Sequence, residues 1–141
     1  MSLPRWPTER LKPPPADSEA APFVLTQPGA GGERLHALTA NADRAGLKPG
    51  MGVADARALA PRLVARGADP EGDRAALVRL ARWCGRFSPW TAPDGGAPGL
   101  DGVLLDITGC AAVFGGEDRL LDQLVRETRA LGVTASAAAA P

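Results

Sequence analysis

The chain has 141 residues, with 16 Lys and Arg, 16 Asp and Glu and one His. Its formal net charge is therefore zero, and no bulk electrostatic pull toward nucleic acid or a membrane surface follows. No apolar run approaches the roughly 20 residues of a membrane span, residues 1–7 lack the apolar region of a signal peptide, and Cys84 and Cys110 form no CxxC zinc or redox motif; a cytoplasmic protein is the expectation. Apolar residues reach 45%, but 27 of them are alanines, which bury little area each and leave a thin supply of large core side chains.

Residues 1–20 are rich in proline and charge, with room for one very short strand before a loop around Pro13, Pro14 and Pro15. Phe23, Val24 and Leu25, and then LHALT at 35–39, read as two short strands flanking the turn GAGG at 29–32, which makes a hairpin. Residues 41–45 form one helical turn stopped by Gly46. LKPGM at 47–51 is a turn, and residues 53–60 are a short helix ended by Pro61. Leu63 and Val64 mark a short strand.

The spacing then predicts a helix over 69–87, capped by Asp69 with Pro70 at the first helical position. Leu77, Leu80, Cys84 and Phe87 recur on one face, and Arg79, Arg82 and Arg86 share another. Repeated Pro and Gly break regular structure over 89–99. VLLDI at 103–107 is an unbroken β-prone run, the pattern of a strand covered on both faces. A second amphipathic helix spans 117–131, with Leu120, Leu121, Leu124, Val125 and Leu131 on its apolar stripe. Glu117 and Asp118 suit its N-terminus, Arg126 and Arg129 its C-terminal half, and Gly132 its stop. Residues 133–137 begin another strand. Strand, helix and strand in this order imply an α+β or α/β sheet with helices on one face.

Few residues carry a chemical signature. His36 is the single histidine and falls in a strand, where a structural role outweighs Ser/His/Asp or Cys/His catalysis. GAGG at 29–32 precedes a strand rather than a helix, so it is a turn and not a phosphate loop. GGED at 115–118 opens an amphipathic helix and is read as a helix start. Arg79, Arg82 and Arg86 form a one-sided basic row able to meet phosphates, against the commoner reading of a solvated face. Asp101 and Asp106 bracket the β-prone run. Carboxylates at strand ends hold Mg²⁺ ions in nucleotidyl transfer, but more of them must converge than two, and Asp106 is read as bonding a turn with Thr108.

GLKPGM at 46–51 followed by ADARALAP at 54–61 resembles the fingers segment of the Y-family (UmuC-like) DNA polymerases, where a G-V-K-x-G-M turn precedes a helix ending in proline. LDITG at 105–109 is similar to the L-D-V-T-G that follows the family's catalytic S-I-D-E, and LGVTASA at 131–137 to a later palm strand. DITGCAAVFGGE at 106–117 and LPRWPTERL at 3–11 are most like the ImuB-type branch. The resemblance implies an α+β fold: a polymerase palm, with a mixed sheet and helices on one face, carrying an inserted small fingers subdomain and incomplete at its C-terminal side. Residues 1–18 would then be a remnant of the first palm strand with the Pro-rich loop, 19–68 the fingers-like subdomain and 69–141 the palm portion.

The departures from that pattern concern the chemistry. The first-strand Asp of an active enzyme falls among residues 1–8, which hold no Asp and no Glu before Glu9. Counted back from Asp106, Asp101 takes the place of the catalytic Asp and Gly102 that of the adjacent Glu. One of three metal-binding carboxylates is kept. The fingers Tyr and Arg that clamp the nucleotide align with Ala40 and Asp43, with Arg44 one position away. By resemblance the chain is a non-catalytic, polymerase-like adaptor of damage-induced translesion synthesis, with no cofactor of its own. Its implied partners are an error-prone C-family polymerase, an ImuA-type protein and the sliding clamp, met mostly through regions beyond these residues. It would act in the cytoplasm, at the nucleoid, with DNA contact open. The alternatives are a diverged but active Y-family polymerase using Asp101 and Mg²⁺, or a truncated interaction domain.

Overall fold

The structure is a computed structural model that describes residues 1–11, 20–95 and 101–141; the expected triple-proline loop and residues 96–99 of the expected irregular segment lie outside the described residues. The order of elements is α1 (Trp6–Arg10), β1 (Phe23–Gly29), β2 (Gly32–Leu38), α2 (Ala40–Arg44), α3 (Val53–Leu59), β3 (Val64–Gly67), α4 (Pro70–Trp83), β4 (Trp90–Asp94), β5 (Gly102–Asp106), α5 (Ala111–Phe114) and α6 (Glu117–Ala130). The fold class is α+β. The chain divides into two compact units, Met1–Trp6 with Glu71–Pro141, and Pro7–Pro70.

In the Pro7–Pro70 unit the strand order is β2-β1-β3. β1 pairs antiparallel with β2, as the hairpin reading requires, and parallel with β3. Being the middle strand, β1 is buried from Phe23 through Thr26, which explains its short continuous apolar run. β3 runs from Val64 to Gly67, starting one residue later and ending three residues later than the expected strand. Val24, Leu35, Leu47 and Leu63 meet Ala42, Ala56 and Ala60 in its core. Leu47 is fully buried because the turn around it folds back on β2: Gly50 N–H donates to the Leu35 carbonyl at 2.7 Å, and Leu35 N–H to the Met51 carbonyl at 2.8 Å. That turn is flanked by Gly46 at φ +89° and Gly50 at φ +85°, backbone conformations that residues with a Cβ adopt only under strain.

In the other unit β4 and β5 form an antiparallel pair. Isolated bridges extend it, joining Ser2 to Gly102 on one side and to Ser136 on the other. Leu77, Leu80 and Ala81 of α4, Leu124 of α6, Val103 of β5, and Leu3, Trp6, Val133 and Ala135 share its core. Both long helices thus cover the face of the sheet that carries Val103. Trp6 Nε1–H donates to the Asp73 carbonyl at 3.0 Å, pinning the ring against the start of α4.

Several expectations need correction. β4 occupies part of the segment read as irregular; it is the outer strand of its pair, and Pro93 is tolerated there because an edge strand has free positions with no ladder bond to donate. The run 103–107 is not covered on both faces: Leu104 is 58% exposed and its neighbour Trp90 is 73% exposed. Residues 133–137 contribute a single bridge at Ser136 rather than a strand, and the N-terminal residues contribute a bridge at Ser2 followed by the unexpected short helix α1. α4 ends at Trp83, and Cys84–Arg86 continue as a 3-10 turn through Gly85. On α6, Leu120 and Leu124 are buried and Leu121 and Val125 only half-buried, while Leu131 lies just past its end and is exposed.

The two cysteines are free and in different environments, Cys84 buried and Cys110 half-buried. Burial pushes the Cys84 thiol from 9.0 up to about 11. Since the thiolate is the reacting form, Ellman's reagent at pH 8 is expected to modify one thiol per folded chain quickly and the second only after unfolding. Two fast thiols would contradict this burial. Between pH 9 and 11 the unfolded chain gives up this proton and the folded chain keeps it, so unfolding releases a proton and stability falls as pH rises through that window.

Candidate functional site

Asp101 immediately precedes β5, at the end of the strand where residues 1–3 are paired beside it. Its carbonyl accepts the Leu3 N–H at 2.8 Å, and its carboxylate lies close to Gly95, where an added Cβ would be 3.3 Å from Oδ1. The next residue, Gly102, is buried. It stands opposite Ser2 on one side and Asp94 on the other. A Cβ built on Gly102 would sit 2.5 Å from the Met1 carbonyl oxygen, well inside contact distance for a backbone atom.

Asp106 ends β5 on the exposed side. Its carboxylate accepts the Thr108 N–H at 3.0 Å, and bonding to the Thr108 hydroxyl and N–H holds it below the usual carboxylate range. The turn reading of Asp106 therefore describes its geometry. The Ser88 hydroxyl donates to the Asp106 carbonyl and accepts the Trp90 N–H at 3.1 Å, tying the entry of β4 to the exit of β5. Ser88 had no signal in the sequence, because Trp90 begins a strand that the prolines concealed and the other partner is a backbone carbonyl of β5.

Among the described residues no group of three His, Cys, Asp or Glu side chains is placed to hold a metal ion. A pair of Mg²⁺ ions of the kind the resemblance implies needs carboxylates converging from three positions. At the positions the resemblance would assign to those ligands stand Asp101, a glycine packed against backbone, and a first segment, residues 1–8, without an acid. The donor set does not fit that group.

The expected nucleotide-clamp positions belong to the other unit. Ala40 begins α2, and Asp43 lies within it. The Asp43 carboxylate accepts Lys48 Nζ at 3.1 Å, so the acid and the lysine of the 46–51 turn balance each other on the surface. Arg44 is exposed at the end of α2. The sequence did not single out Arg34, yet it holds this region together: its Nη2 and Nε donate to the Ala30 carbonyl at 2.6 and 3.1 Å, and its Nη1 to the Gly50 carbonyl at 3.2 Å.

The basic row separates into two kinds of arginine. Arg79 and Arg82 are exposed on α4. Arg86, on the 3-10 turn, lies 4.6 Å from the Trp83 ring centroid and donates to Glu127 Oε2 of α6 at 3.3 Å. Glu127 is held below its usual range by the Gln123 amide and by Arg86. Arg86 thus ties the end of α4 to α6. A shallow recess of about 560 Å³ runs beside α6 past Leu121, Val125, Arg126 and Arg129 to Ser136. Arg129 spends its donors on the Ala135 carbonyl at 2.9 and 3.2 Å, which fixes the path of the chain toward Ser136.

Comparison with known proteins agrees with this fold. A family model described as impB/mucB/samB matches residues 11–141. Protein ImuB of two Caulobacter vibrioides strains is 50% identical over 95 residues, covering 67% of this chain and 20% of the relative. The chain thus matches about a fifth of the length of these curated relatives. Among solved structures, an insertion ternary complex of Dbh DNA polymerase aligns with a TM-score of 0.72 at 14% identity, covering 94% of this chain and 39% of that one. DinB from Sulfolobus solfataricus aligns with a TM-score of 0.69, also at 14% identity, over 94% of this chain and 38% of that one. These likenesses establish the fold.

Proposed function

Because the chain belongs to the impB/mucB/samB family, we propose that it is the palm-and-fingers portion of a polymerase-like protein that serves translesion synthesis after DNA damage as a non-catalytic accessory factor. Residues 69–141 would be the palm portion, residues 1–18 the remnant of its first strand with the Pro-rich loop, and residues 19–68 the fingers-like subdomain. The relatives named ImuB, half identical over the matched stretch, support the translesion context. The observation that carries the non-catalytic reading is at β5. Asp101 is the one carboxylate at the three metal positions, and Gly102 lies where a side chain would meet the Met1 carbonyl.

A lone carboxylate cannot bridge two divalent ions or offset the charge of a bound triphosphate. The fingers side agrees, since Ala40 offers no hydroxyl and Asp43 is an acid already paired with Lys48. What these residues supply is a scaffold: a sheet, two covering helices, and a small unit inserted between the first and second parts of the palm. Engagement of a C-family polymerase, an ImuA-type protein and the sliding clamp would fall to regions of the longer protein outside these residues, at the nucleoid in the cytoplasm. Arg79 and Arg82 remain the residues here best suited to a phosphate backbone.

Primer extension by the full-length protein with Mg²⁺ or Mn²⁺ tests the reading. Nucleotide incorporation should not exceed that of a no-protein control. Incorporation that disappears in an Asp101→Ala variant would overturn the non-catalytic assignment in favour of a diverged active polymerase.

A further inference from the structure

Gly102 has no positive φ to explain it. Its neighbours on β5 are ordinary β-formers, and a glycine inside a strand costs stability unless a close backbone approach requires it. Such an approach is present. Val103 N–H donates to the Met1 carbonyl at 2.9 Å, and the Met1 nitrogen donates back to the Val103 carbonyl at 2.9 Å. With Leu3 N–H on the Asp101 carbonyl, this pattern makes Ser2 and Gly102 the non-hydrogen-bonded pair of an antiparallel ladder, the pair in which strands come closest. Ser2 in turn exchanges both backbone bonds with Ser136, at 2.7 and 3.1 Å. Three segments far apart in the chain therefore meet at Ser2, with Gly102, the residue without a side chain, on one side of it and Ser136 on the other.

We infer that Gly102 is the joint of this sheet: position 102 cannot carry a side chain while residues 1–3 are paired beside β5, so a carboxylate restored there parts the pairing instead of building a metal site. The first half stands on geometry alone, and the second rests on the alignment of Gly102 with a metal-ligand position. A ligand position that is merely empty regains a donor by one substitution. A ligand position taken over by backbone packing is not.

Two variants of the chain test this. In Gly102→Ala, amide hydrogen exchange at Leu3, Val103 and Ser136 is expected to quicken at least tenfold, with the amides of Ala56 and Ala60 in the other unit unchanged. Gly102→Glu is expected to bind Mn²⁺, followed by its electron paramagnetic resonance signal, no more tightly than the unaltered chain. Exchange in Gly102→Ala within twofold of the unaltered chain would overturn the joint. Tight Mn²⁺ binding by Gly102→Glu that is lost when Asp101→Asn is added would overturn its consequence for the metal site. If Gly102→Glu does not fold, the exchange result for the smaller alanine decides. Polymerase activity of the unaltered full-length protein would defeat the accessory reading and leave the exchange result standing, so the two failures are distinguishable.

Discussion

Leu124→Ala is expected to lower the unfolding free energy by about 2–5 kcal/mol, the cost of deleting a buried leucine and leaving its cavity. Leu124 is 1% exposed at the middle of α6 and packs in one cluster with Leu3, Leu77, Leu80 and Val103. The loss is large relative to the roughly 5–15 kcal/mol that holds an ordinary domain together. It is severe here because so many of the neighbouring apolar positions are alanines, Ala76, Ala81 and Ala135 among them, whose short side chains cannot move in to fill the space. Trp6, Trp83 and Trp90 all belong to this unit, so tryptophan fluorescence in a urea titration reads its unfolding directly. Leu121→Ala, at a half-buried position three residues earlier on the same helix, serves as the comparison and should cost less than half as much. Equal midpoints for the two variants would mean that the packing of α6 is misassigned.

Leu47→Ala is the counterpart in the Pro7–Pro70 unit, with an expected cost of about 2–5 kcal/mol. Leu47 is fully buried against Val24, Leu35 and Leu63, held there by a turn whose two flanking glycines fix its path. No tryptophan reports on this unit, so hydrogen exchange is the measurement. Amides that open only when the unit unfolds, such as those of Leu35, Gly50 and Ala60, should exchange roughly 30- to 4,000-fold faster, since each 1.4 kcal/mol is a factor of ten. Unchanged exchange at Leu35 and Gly50 would show that the 46–51 turn is not anchored by its leucine.

Much of this architecture was legible locally. The helices over 53–59, 70–83 and 117–130 announced themselves through apolar spacing and through Pro70, Pro61 and Gly132 at their ends. The hairpin followed from two β-prone runs around glycines. What escaped was set by pairing at a distance. β4 contains Pro93 and follows Pro89, so its own composition argues against a strand, and its partner β5 is what makes it one. The exposure of Leu104 depends on which face α4 and α6 choose to cover, and VLLDI reads the same either way. At the candidate site, nothing in GVLLD says that a backbone oxygen from residue 1 lies where a side chain on Gly102 would stand. Arg34 was silent for the same reason: its acceptors are the carbonyls of Ala30 and Gly50, and a carbonyl leaves no trace in a sequence.

The division of the chain also orders events during synthesis. Among the described residues, every strand pairing of the Pro7–Pro70 unit lies within residues 23–67, so that sheet can close while the rest is still being translated. The other sheet is different, because Ser2 waits for Gly102 and then for Ser136. At roughly 5–20 residues per second, the first three residues stay without their partners for several seconds after they leave the ribosome. During that interval Leu3 and Trp6, both buried in the finished fold, are exposed apolar groups beside a growing chain. This is the stage at which a chaperone, or a second nascent copy, has access to them.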